Sequence, residues 1–550
     1  TLHYTLRYPE KYGLGGTEPK IYDLSLEGSE ENYAEMRETL KYLKRIDERK
    51  LTKEQRYIRK MLIKYIELNL SSEGLDYYGT YLDSISGLPS NMPINFAEYS
   101  FYTEKDVTDY LALLKQFPAL FEQALEHEKA RAEMGLGLSD AALDEAIAQC
   151  RSFLEETDEN YLISTFDKRV GALGLSAAKT AEYKRQNKEA FQNEIVPAYE
   201  NMIAGLEKFK GKGLNDLGLC HFEKGKEYYQ FLVSYYTGSD YAASDLAGVL
   251  ESKLTEYSRE LYRAVTGSPD AYLEYYDGLD YGYDVSGLDD MPRTEAETVL
   301  RGICLNMLEG LQEEMLEIVP PLPENAYSVK FVEESLEESL SPAFFMIPPI
   351  DDYLDNVIYV NLGSVDISSL YPTLAHEGYP GHLYQMAYFN GTEHHPIRNL
   401  ITFDGYTEGW ATYTENLSYD MFDFGKYDKE FDKLGKLFHL QWLALYSRVD
   451  VGVNFEGWGR SKVAQCMEKN YFNGEMADEL IKMVVSSPAT PLKYFVGYLE
   501  ITDILGDVKS RLGNKFDLIE FHKQLLDIGP MQFGVIREYM DEYVGQKLGN

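Results

Sequence analysis

The fold of this chain is decided by residues 376–382, which read HEGYPGH. Two histidines, His376 and His382, flank this stretch, and Glu377 follows the first of them. Zinc hydrolases bind their metal through imidazoles and a carboxylate, leave one position to water, and keep a further glutamate nearby as proton acceptor. The residue types therefore predict a hydrolytic metal site with His376 and His382 as ligands and Glu377 as the base.

The third ligand is expected in a second stretch, residues 408–415, which reads EGWATYTE. Glu408 and Glu415 are about two helical turns apart, so both side chains project from one helix face. We assign Glu408 to the metal. We assign Glu415 a hydrogen bond to a ligand histidine, at the ring nitrogen that does not bind the metal. Carboxylates that are not themselves ligands commonly orient ligand histidines in this way. An ordinary charged helix residue is the alternative for Glu415.

The spacing of the two histidines requires a broken helix. The histidine ligands of a His-Glu-x-x-His motif are four residues apart and lie on one helix face. His376 and His382 are six residues apart, and in an unbroken helix their side chains would point in directions roughly 240° apart around the axis. Pro380 lacks a backbone N–H, and Gly381 adopts backbone angles that other residues resist. We therefore predict a metal-bearing helix interrupted at these two residues. The alternative is a simple turn between two histidines that bind no metal.

Composition and charge exclude several classes of protein. The 550 residues include 44% hydrophobic and 26% charged residues, which is typical of a large globular protein. The formal net charge of −38 repels phosphate backbones, so we expect no nucleic-acid partner. No run of 18 apolar residues is present, so no transmembrane segment is expected. Four widely separated cysteines contain no Cys-x-x-Cys pair and leave the redox compartment open.

Helical periodicity dominates the first half of the chain. Apolar residues recur at intervals of three and four in the segments 30–69, 104–131, 139–155, 174–210 and 241–265. Two short apolar runs, 343–347 and 356–361, instead predict strands. We expect a helical scaffold lobe over residues 1–320 and a metal-site lobe over residues 321–550, joined in one continuous body. The small sheet should lie beside the metal-bearing helix.

Both motifs, together with the stretch YFVG at residues 494–497, resemble the bacterial family known as domain of unknown function 885. The resemblance extends over most of the chain, and that family is similar in turn to gluzincin peptidases of the thimet oligopeptidase-like and Taq carboxypeptidase-like groups. It implies a mainly α, peptidase-like body that encloses a deep channel, a bound Zn²⁺ and a peptide substrate. Together with a first residue, Thr1, that is not methionine, it also suggests an extracytoplasmic or cell-surface lipoprotein, with the cytoplasm as the alternative.

The resemblance singles out further positions. A histidine often occupies the position of Asn454 in that family, and asparagine can donate a hydrogen bond there but carries no charge. Tyr494 and Tyr498 are four residues apart on a predicted helix, and Tyr494 is our preferred donor to a developing oxyanion, with Arg448 as the other candidate. Tyr498 and Asn454 are expected at the substrate. The alternatives are packing against the channel wall for the tyrosines, and a substrate C-terminus or an ion pair with Asp450 for Arg448.

These residues predict a zinc-dependent metallopeptidase in which Glu377 takes a proton from water and returns it to the leaving amine. Two other functions stay open. One is a zinc hydrolase of non-peptide amides, because the ligands define the reaction better than the substrate. The other is an inactive peptide-binding surface module with a gluzincin-like fold, which residues 380–381 and Asn454 favour. Endopeptidase and carboxypeptidase action are not distinguished, and neither is the oligomeric state.

Overall fold

The structure of the chain is a computed structural model that describes residues 5–83, 87–155, 160–212, 217–276, 283, 287–322, 325–334, 337, 340–422 and 428–549. It is mainly α-helical, with a small three-stranded sheet among the described residues. The predicted fold class, helical with a small sheet beside the motif helices, is confirmed. The deep channel that the resemblance implies stays a prediction.

Thirteen α-helices precede the sheet in the described part of the chain. In order they are α1 (Leu26–Arg45), α2 (Lys53–Leu70), α3 (Leu88–Ala97), α4 (Glu104–Leu114), α5 (Phe117–Glu133), α6 (Asp140–Glu155), α7 (Tyr161–Ala172), α8 (Ala177–Ala190), α9 (Val196–Glu207), α10 (Gly225–Thr237), α11 (Ala243–Gly267), α12 (Pro269–Tyr276) and α13 (Arg293–Glu314). A π-helical segment, Phe191–Ile195, joins α8 to α9. Helices therefore dominate the described residues before the sheet, and the scaffold lobe itself stays a prediction.

The sheet consists of β1 (Ala326–Phe331), β2 (Ala343–Met346) and β3 (Asp355–Val360), in the spatial order β1-β3-β2. β1 runs parallel to β3, and β2 runs antiparallel to it with Phe345 opposite Ile358. The two predicted strands correspond to β2 and β3, whereas β1 was not predicted. β2 lies at one edge of the sheet.

The helices that follow the sheet carry both motifs. They are α14 (Ile367–Glu377), α15 (His382–Asn390), α16 (Asp404–Ser418), α17 (Asp428–Val451), α18 (Arg460–Lys469), α19 (Ala477–Ser486), α20 (Thr490–Leu512), α21 (Leu518–Ile528) and α22 (Phe533–Leu548). A second π-helical segment, Gly452–Glu456, continues α17. Among the described residues, no helix combines the length and the apolar character needed to cross a membrane.

The chain forms two compact units that do not follow its order. One comprises Thr1–Tyr42, Leu70–Tyr228 and Val485–Ser487, and the other comprises Leu43–Asn69, Tyr229–Val484 and Pro488–Asn550. The second unit contains the sheet and both motifs. The division at residue 320 stays a prediction.

The first unit is built around aromatic side chains. Its fully buried rings include Tyr110, Phe117, Phe121 and Tyr199, and the rings of Phe121 and Tyr199 meet edge to face with centroids 5.0 Å apart. The hydroxyl of Tyr199 also donates to the carbonyl oxygen of Pro89 at 2.6 Å. Aromatic rings bury large areas, so a few of them suffice to hold short helices together.

The hydrophobic core of the second unit fixes the first motif helix. Leu370 and Leu374 of α14 are at most 1% exposed, and they belong to the same buried cluster as Leu308 of α13 and Ile358 of β3. Each such side chain contributes roughly 1.5–3 kcal/mol when fully buried. α14 is therefore held by the sheet and α13, and its C-terminal end has a defined position.

The second motif helix, α16, packs against α20 with their backbones in contact. A Cβ atom on Gly409 would lie 2.4 Å from the carbonyl carbon of Gly497, and one on Gly497 would lie 2.1 Å from the carbonyl oxygen of Gly405. Real Cβ atoms do not approach other atoms so closely, so these positions require glycine. The close crossing brings Glu408, beside Gly409, towards the first turn of α20.

We predict that Gly497→Ala destabilises the protein by roughly 1–3 kcal/mol, because the added methyl group has no space between the two backbones. Gly506→Ala is the matched control: it lies on the same helix with no atom within 4 Å of its Cβ position. That substitution should stabilise the protein by up to about 1 kcal/mol through helix propensity. Thermal unfolding by calorimetry measures both, and equal midpoints for the two variants would contradict the close crossing.

Candidate metal centre

The chain leaves the helix between the two motif histidines. α14 ends at Glu377, and α15 begins at His382. A Cβ atom on Gly381 would lie 1.9 Å from the carbonyl oxygen of His376. The connecting loop therefore packs so closely against the end of α14 that only glycine fits at this position. The predicted interruption at Pro380 and Gly381 is confirmed.

Two aromatic side chains hold this loop. The indole N–H of Trp410, which is fully buried on α16, donates to the carbonyl oxygen of Pro380 at 2.8 Å. The buried Tyr379 donates its hydroxyl to Oδ1 of Asn325 at 2.7 Å. The loop geometry therefore depends on α16, the helix that also carries Glu408.

Both histidines face the carboxylate of Glu408. Its Oε2 lies 3.5 Å from Nε2 of His376 and 3.3 Å from Nε2 of His382. Two ligand atoms at about 2.0–2.1 Å from a tetrahedral zinc ion are about 3.3–3.4 Å apart. Oε2 of Glu408 therefore lies from each histidine at about the separation expected for two ligands of one ion.

Glu377 is a second carboxylate beside the same histidines. Together with His376 and His382 it forms a group whose ligand atoms lie within 4.8 Å of one another. Its Oε2, however, accepts a hydrogen bond from the backbone N–H of Phe345 in β2 at 2.8 Å. Glu408 is the carboxylate within hydrogen-bonding distance of both Nε2 atoms, whereas the N–H of Phe345 holds Glu377 beside them. The roles of Glu408 as third ligand and of Glu377 as base stay predictions.

Glu415 contacts one of the predicted ligand histidines. Its Oε2 lies 2.9 Å from Nδ1 of His376, and its Oε1 lies 3.3 Å from Nδ1 of His439 on α17. A carboxylate on Nδ1 fixes the tautomer and orientation of an imidazole whose Nε2 binds a metal. This is the position predicted for Glu415, whereas no motif marks His439.

Burial and hydrogen bonding oppose each other at these groups. Burial disfavours the charged form of His376, but hydrogen bonds to Glu408 and Glu415 outweigh it and raise its pKa well above the ordinary value. Burial likewise acts to raise the pKa of Glu408, yet hydrogen bonds to His376 and His382 hold that pKa well below its ordinary value. Burial lowers the pKa of His439. The arrangement therefore favours a positive charge between the histidines and Glu408.

The site opens into a pocket of about 560 Å³. Six of the predicted site residues line it: His376, Glu377, His382, Glu408, Glu415 and Tyr494. Residues of β2 and the exposed Ile347 form an apolar side, and Asp404 and Thr407 of α16 contribute polar groups. A volume in this range is ordinary for a small-molecule or peptide side-chain site.

The first turns of α20 contribute two side chains to this pocket. The ring of Tyr494 lies 6.3 Å from that of His376, and burial raises the pKa of the Tyr494 hydroxyl. Nζ of Lys493 lies 3.1 Å from Oε1 of Glu408. Burial disfavours the lysine's charge, but Glu408 outweighs this and raises its pKa. Lys493 was not predicted, because its relation to Glu408 exists only after α16 and α20 have packed together.

Arg448 and Tyr498 do not line this pocket. The guanidinium group of Arg448 donates to Glu251 at 3.2 Å and to Glu456 at 2.8 Å, and it lies 4.1 Å from the ring of Trp458. Tyr498 stacks on Phe495 with ring centroids 6.3 Å apart. The catalytic role of Arg448 and the substrate role of Tyr498 stay predictions, and the observed contacts of both are structural.

Asn454 is likewise absent from the pocket lining and is fully buried. Its side-chain N–H donates to the carbonyl oxygen of Val484 at 2.8 Å, and it lies 3.5 Å from Asp450. Asp450 in turn accepts the N–H of Ala489 at 2.9 Å. Ala489 has a φ of 64°, which is uncommon for a residue with a side chain, and directly precedes α20. This cluster therefore fixes the start of the helix that carries Lys493.

The fold and the site together define a mainly α-helical protein with a candidate centre of histidine and glutamate ligands. The family described as bacterial protein of unknown function (DUF885) matches residues 9–540, and the chain belongs to this family. The resemblance noted from the motifs is thereby confirmed. No curated protein matches the chain.

Solved structures share this fold. A candidate lipoprotein from Colwellia psychrerythraea is similar with a TM-score of 0.84 at 19% identity, covering 99% of this chain and 95% of that one. A candidate lipoprotein of unknown function from Shewanella oneidensis has a TM-score of 0.62 at 18% identity, covering 97% and 96%. Pz peptidase A, with an inhibitor, reaches a TM-score of only 0.35 at 14% identity, over 96% and 99% of the chains, and we draw nothing from it.

We predict that His382→Ala removes the metal. The purified protein should contain about one zinc ion per chain. Loss of a residue that only hydrogen-bonds to a metal ligand typically lowers metal affinity by roughly 10–100-fold. Loss of a ligand itself should lower it further. Elemental analysis after dialysis checks this, with His221→Ala, an exposed histidine of the other unit, as the control. Equal zinc in both variants would contradict the ligand assignment.

We also predict that Asp450→Asn raises the thermal midpoint at neutral pH. Burial raises the pKa of Asp450 from its ordinary 3.8 to about 7, so the folded protein holds a proton that the unfolded chain releases. Its ionisation therefore costs stability that grows as the pH rises from about 4 to about 7, and the uncharged isostere avoids this cost. The midpoint difference between variant and wild type should widen over this range. A difference independent of pH would contradict the prediction.

Proposed function

We propose that this protein is a zinc-dependent metallopeptidase that uses Glu377 as its general base. The observation that carries the proposal is the placement of Glu408 Oε2 at 3.5 and 3.3 Å from the Nε2 atoms of His376 and His382. Two imidazoles and one carboxylate, with a pocket on the open side, are the donor set of a catalytic zinc site. When bound, the ion would supply Lewis acidity towards a substrate carbonyl and the attacking water.

Glu377 is the residue to which we assign the proton transfer. It lines the pocket next to His376, and the N–H of Phe345 holds its Oε2 at 2.8 Å. That hydrogen bond orients the carboxylate and leaves Oε1 to accept a proton from water and to deliver it to the leaving amine. General acid–base catalysis of this kind typically contributes a factor of about 10²–10⁴.

Tyr494 is the donor that we assign to the oxyanion. It lines the pocket beside the ring of His376, and burial raises its pKa, so its hydroxyl keeps its proton and can donate a hydrogen bond. Arg448 is not carried into this mechanism, because two carboxylates already hold its guanidinium group. For Tyr498 and Asn454 we propose packing and positioning in place of substrate contact.

The peptide is proposed as substrate because the edge of β2 lines the site. The N–H of Asn361, just after β3, bonds to the carbonyl oxygen of Pro342 at 2.8 Å, whereas the N–H of Phe345 points away from β3 towards Glu377. Along a strand the backbone groups alternate between its two edges, so Ala343 directs its backbone groups towards the pocket, and Phe345 directs its carbonyl group there beside the N–H that holds Glu377. An extended peptide can add to such an edge through main-chain hydrogen bonds, which a non-peptide amide cannot do.

The two features that favoured an inactive binding module have structural explanations. Residues 380–381 form the loop that lets His376 and His382 face one carboxylate. Asn454 bonds to the carbonyl oxygen of Val484 and lies outside the pocket. Neither feature argues against catalysis.

We further propose an extracytoplasmic or cell-surface location. The support is the description of two of the structural neighbours as candidate lipoproteins, together with the resemblance noted from the motifs.

The decisive substitution is Glu377→Gln. We expect zinc content to stay as in wild type, because this side chain is not a ligand, and cleavage of a library of quenched peptides to fall about 10²–10⁴-fold. Glu393→Gln, an exposed glutamate of the same unit, is the matched control and should change neither quantity. Chelation of the metal should abolish cleavage by wild type. Cleavage by Glu377→Gln at the wild-type rate would refute the assignment.

A further inference from the structure

The two oxygens of Glu408 have different partners. Oε2 faces both histidines at 3.5 and 3.3 Å, whereas Oε1 lies 3.1 Å from Nζ of Lys493. The side chains of Glu408 and Lys493 are only 17% and 19% exposed, so solvent screens this ion pair weakly. The carboxylate is thus shared between the candidate metal position and a lysine.

Lys493 is itself held on several sides. Its Nζ lies 5.0 Å from the centre of the Tyr494 ring. Asp404 lines the same pocket, and its negative charge attracts the ammonium group of Lys493. The helix that carries it is fixed by the crossing at Gly409 and Gly497. The ammonium group is therefore a fixed part of the site and not a surface charge that happens to lie near a carboxylate.

This sharing has a consequence for coordination. A glutamate can bind a cation through one oxygen or through both. If both oxygens of Glu408 engaged the ion, the carboxylate would take up the position that a catalytic zinc site leaves open for water or substrate. A lysine on Oε1 prevents this, but it also places a positive charge close to the ion and competes with it for the carboxylate.

We propose that Lys493 is a positioning residue that restricts Glu408 to one-oxygen binding and thereby keeps the metal centre open at a cost in metal affinity. This inference rests on the metal site of the proposed function. It needs no peptide cleavage to be tested, because its readouts are affinity and coordination geometry.

The test compares Lys493→Met with Lys493→Arg, and it uses Lys509→Met, an exposed lysine of the same helix, as the matched control. Zinc dissociation constants are measured by competition with a chromophoric chelator. Removing the neighbouring positive charge should tighten zinc binding by Lys493→Met about tenfold or more. Arginine keeps a charged donor for Oε1, so Lys493→Arg should resemble wild type, as should Lys509→Met.

Coordination is read from the visible absorption of the Co²⁺-substituted proteins. The d–d bands of Co²⁺ weaken as its coordination number rises, so Lys493→Met should show weaker bands than wild type. Weaker zinc binding by Lys493→Met, or unchanged affinity and bands, would overturn the proposal. Should that variant fail to fold, Lys493→Leu, which likewise has no donor for Oε1, takes its place with the same expectations.

The outcomes separate this inference from the proposed function. Zinc binding that weakens in Lys493→Met defeats the inference alone, because the ligand set survives. A wild-type protein that takes up neither Zn²⁺ nor Co²⁺ defeats both. Tighter binding by Lys493→Met with no peptide cleaved by wild type supports the inference and defeats the peptidase.

Discussion

The candidate metal centre depends on the backbone contact between α16 and α20. Gly409 and Gly497 allow the two helices to approach until no Cβ atom fits between them. That approach brings Glu408 within 3.1 Å of Lys493 and places Tyr494 beside His376. The same helix α16 holds the loop between the histidines through Trp410. One steric constraint therefore positions the carboxylate, its cationic partner and the loop.

The grouping of the candidate histidines and glutamates could be predicted from sequence because they lie in two short segments. Glu408 and Glu415 lie on one helix, α16, so helical geometry converts their spacing directly into a shared face. The break in the helix followed from the same reasoning, since six residues cannot close on one ion without it. Proline and glycine supplied the local chemistry for the break.

The remaining parts of the site could not be predicted, because they depend on contacts between distant segments. Lys493 and His439 meet the motif residues only after α17 and α20 have packed around α16. Arg448 illustrates the opposite case: its sequence neighbourhood suggested the site, but Glu251, nearly 200 positions earlier in the chain, engages its guanidinium group. β1 was missed because its burial does not alternate cleanly along the strand.

The loop between the histidines also affects how such sites are found. A pattern that demands two histidines four positions apart passes over this chain, although the side chains converge on one carboxylate. Here the two histidines converge despite two additional residues between them, because Gly381 lets the loop fold back onto the preceding turn. A structural search could instead look for a loop that folds back onto the end of the first helix, with glycine where the loop touches the carbonyl of the first histidine. Such a search would find sites that a pattern with fixed histidine spacing misses.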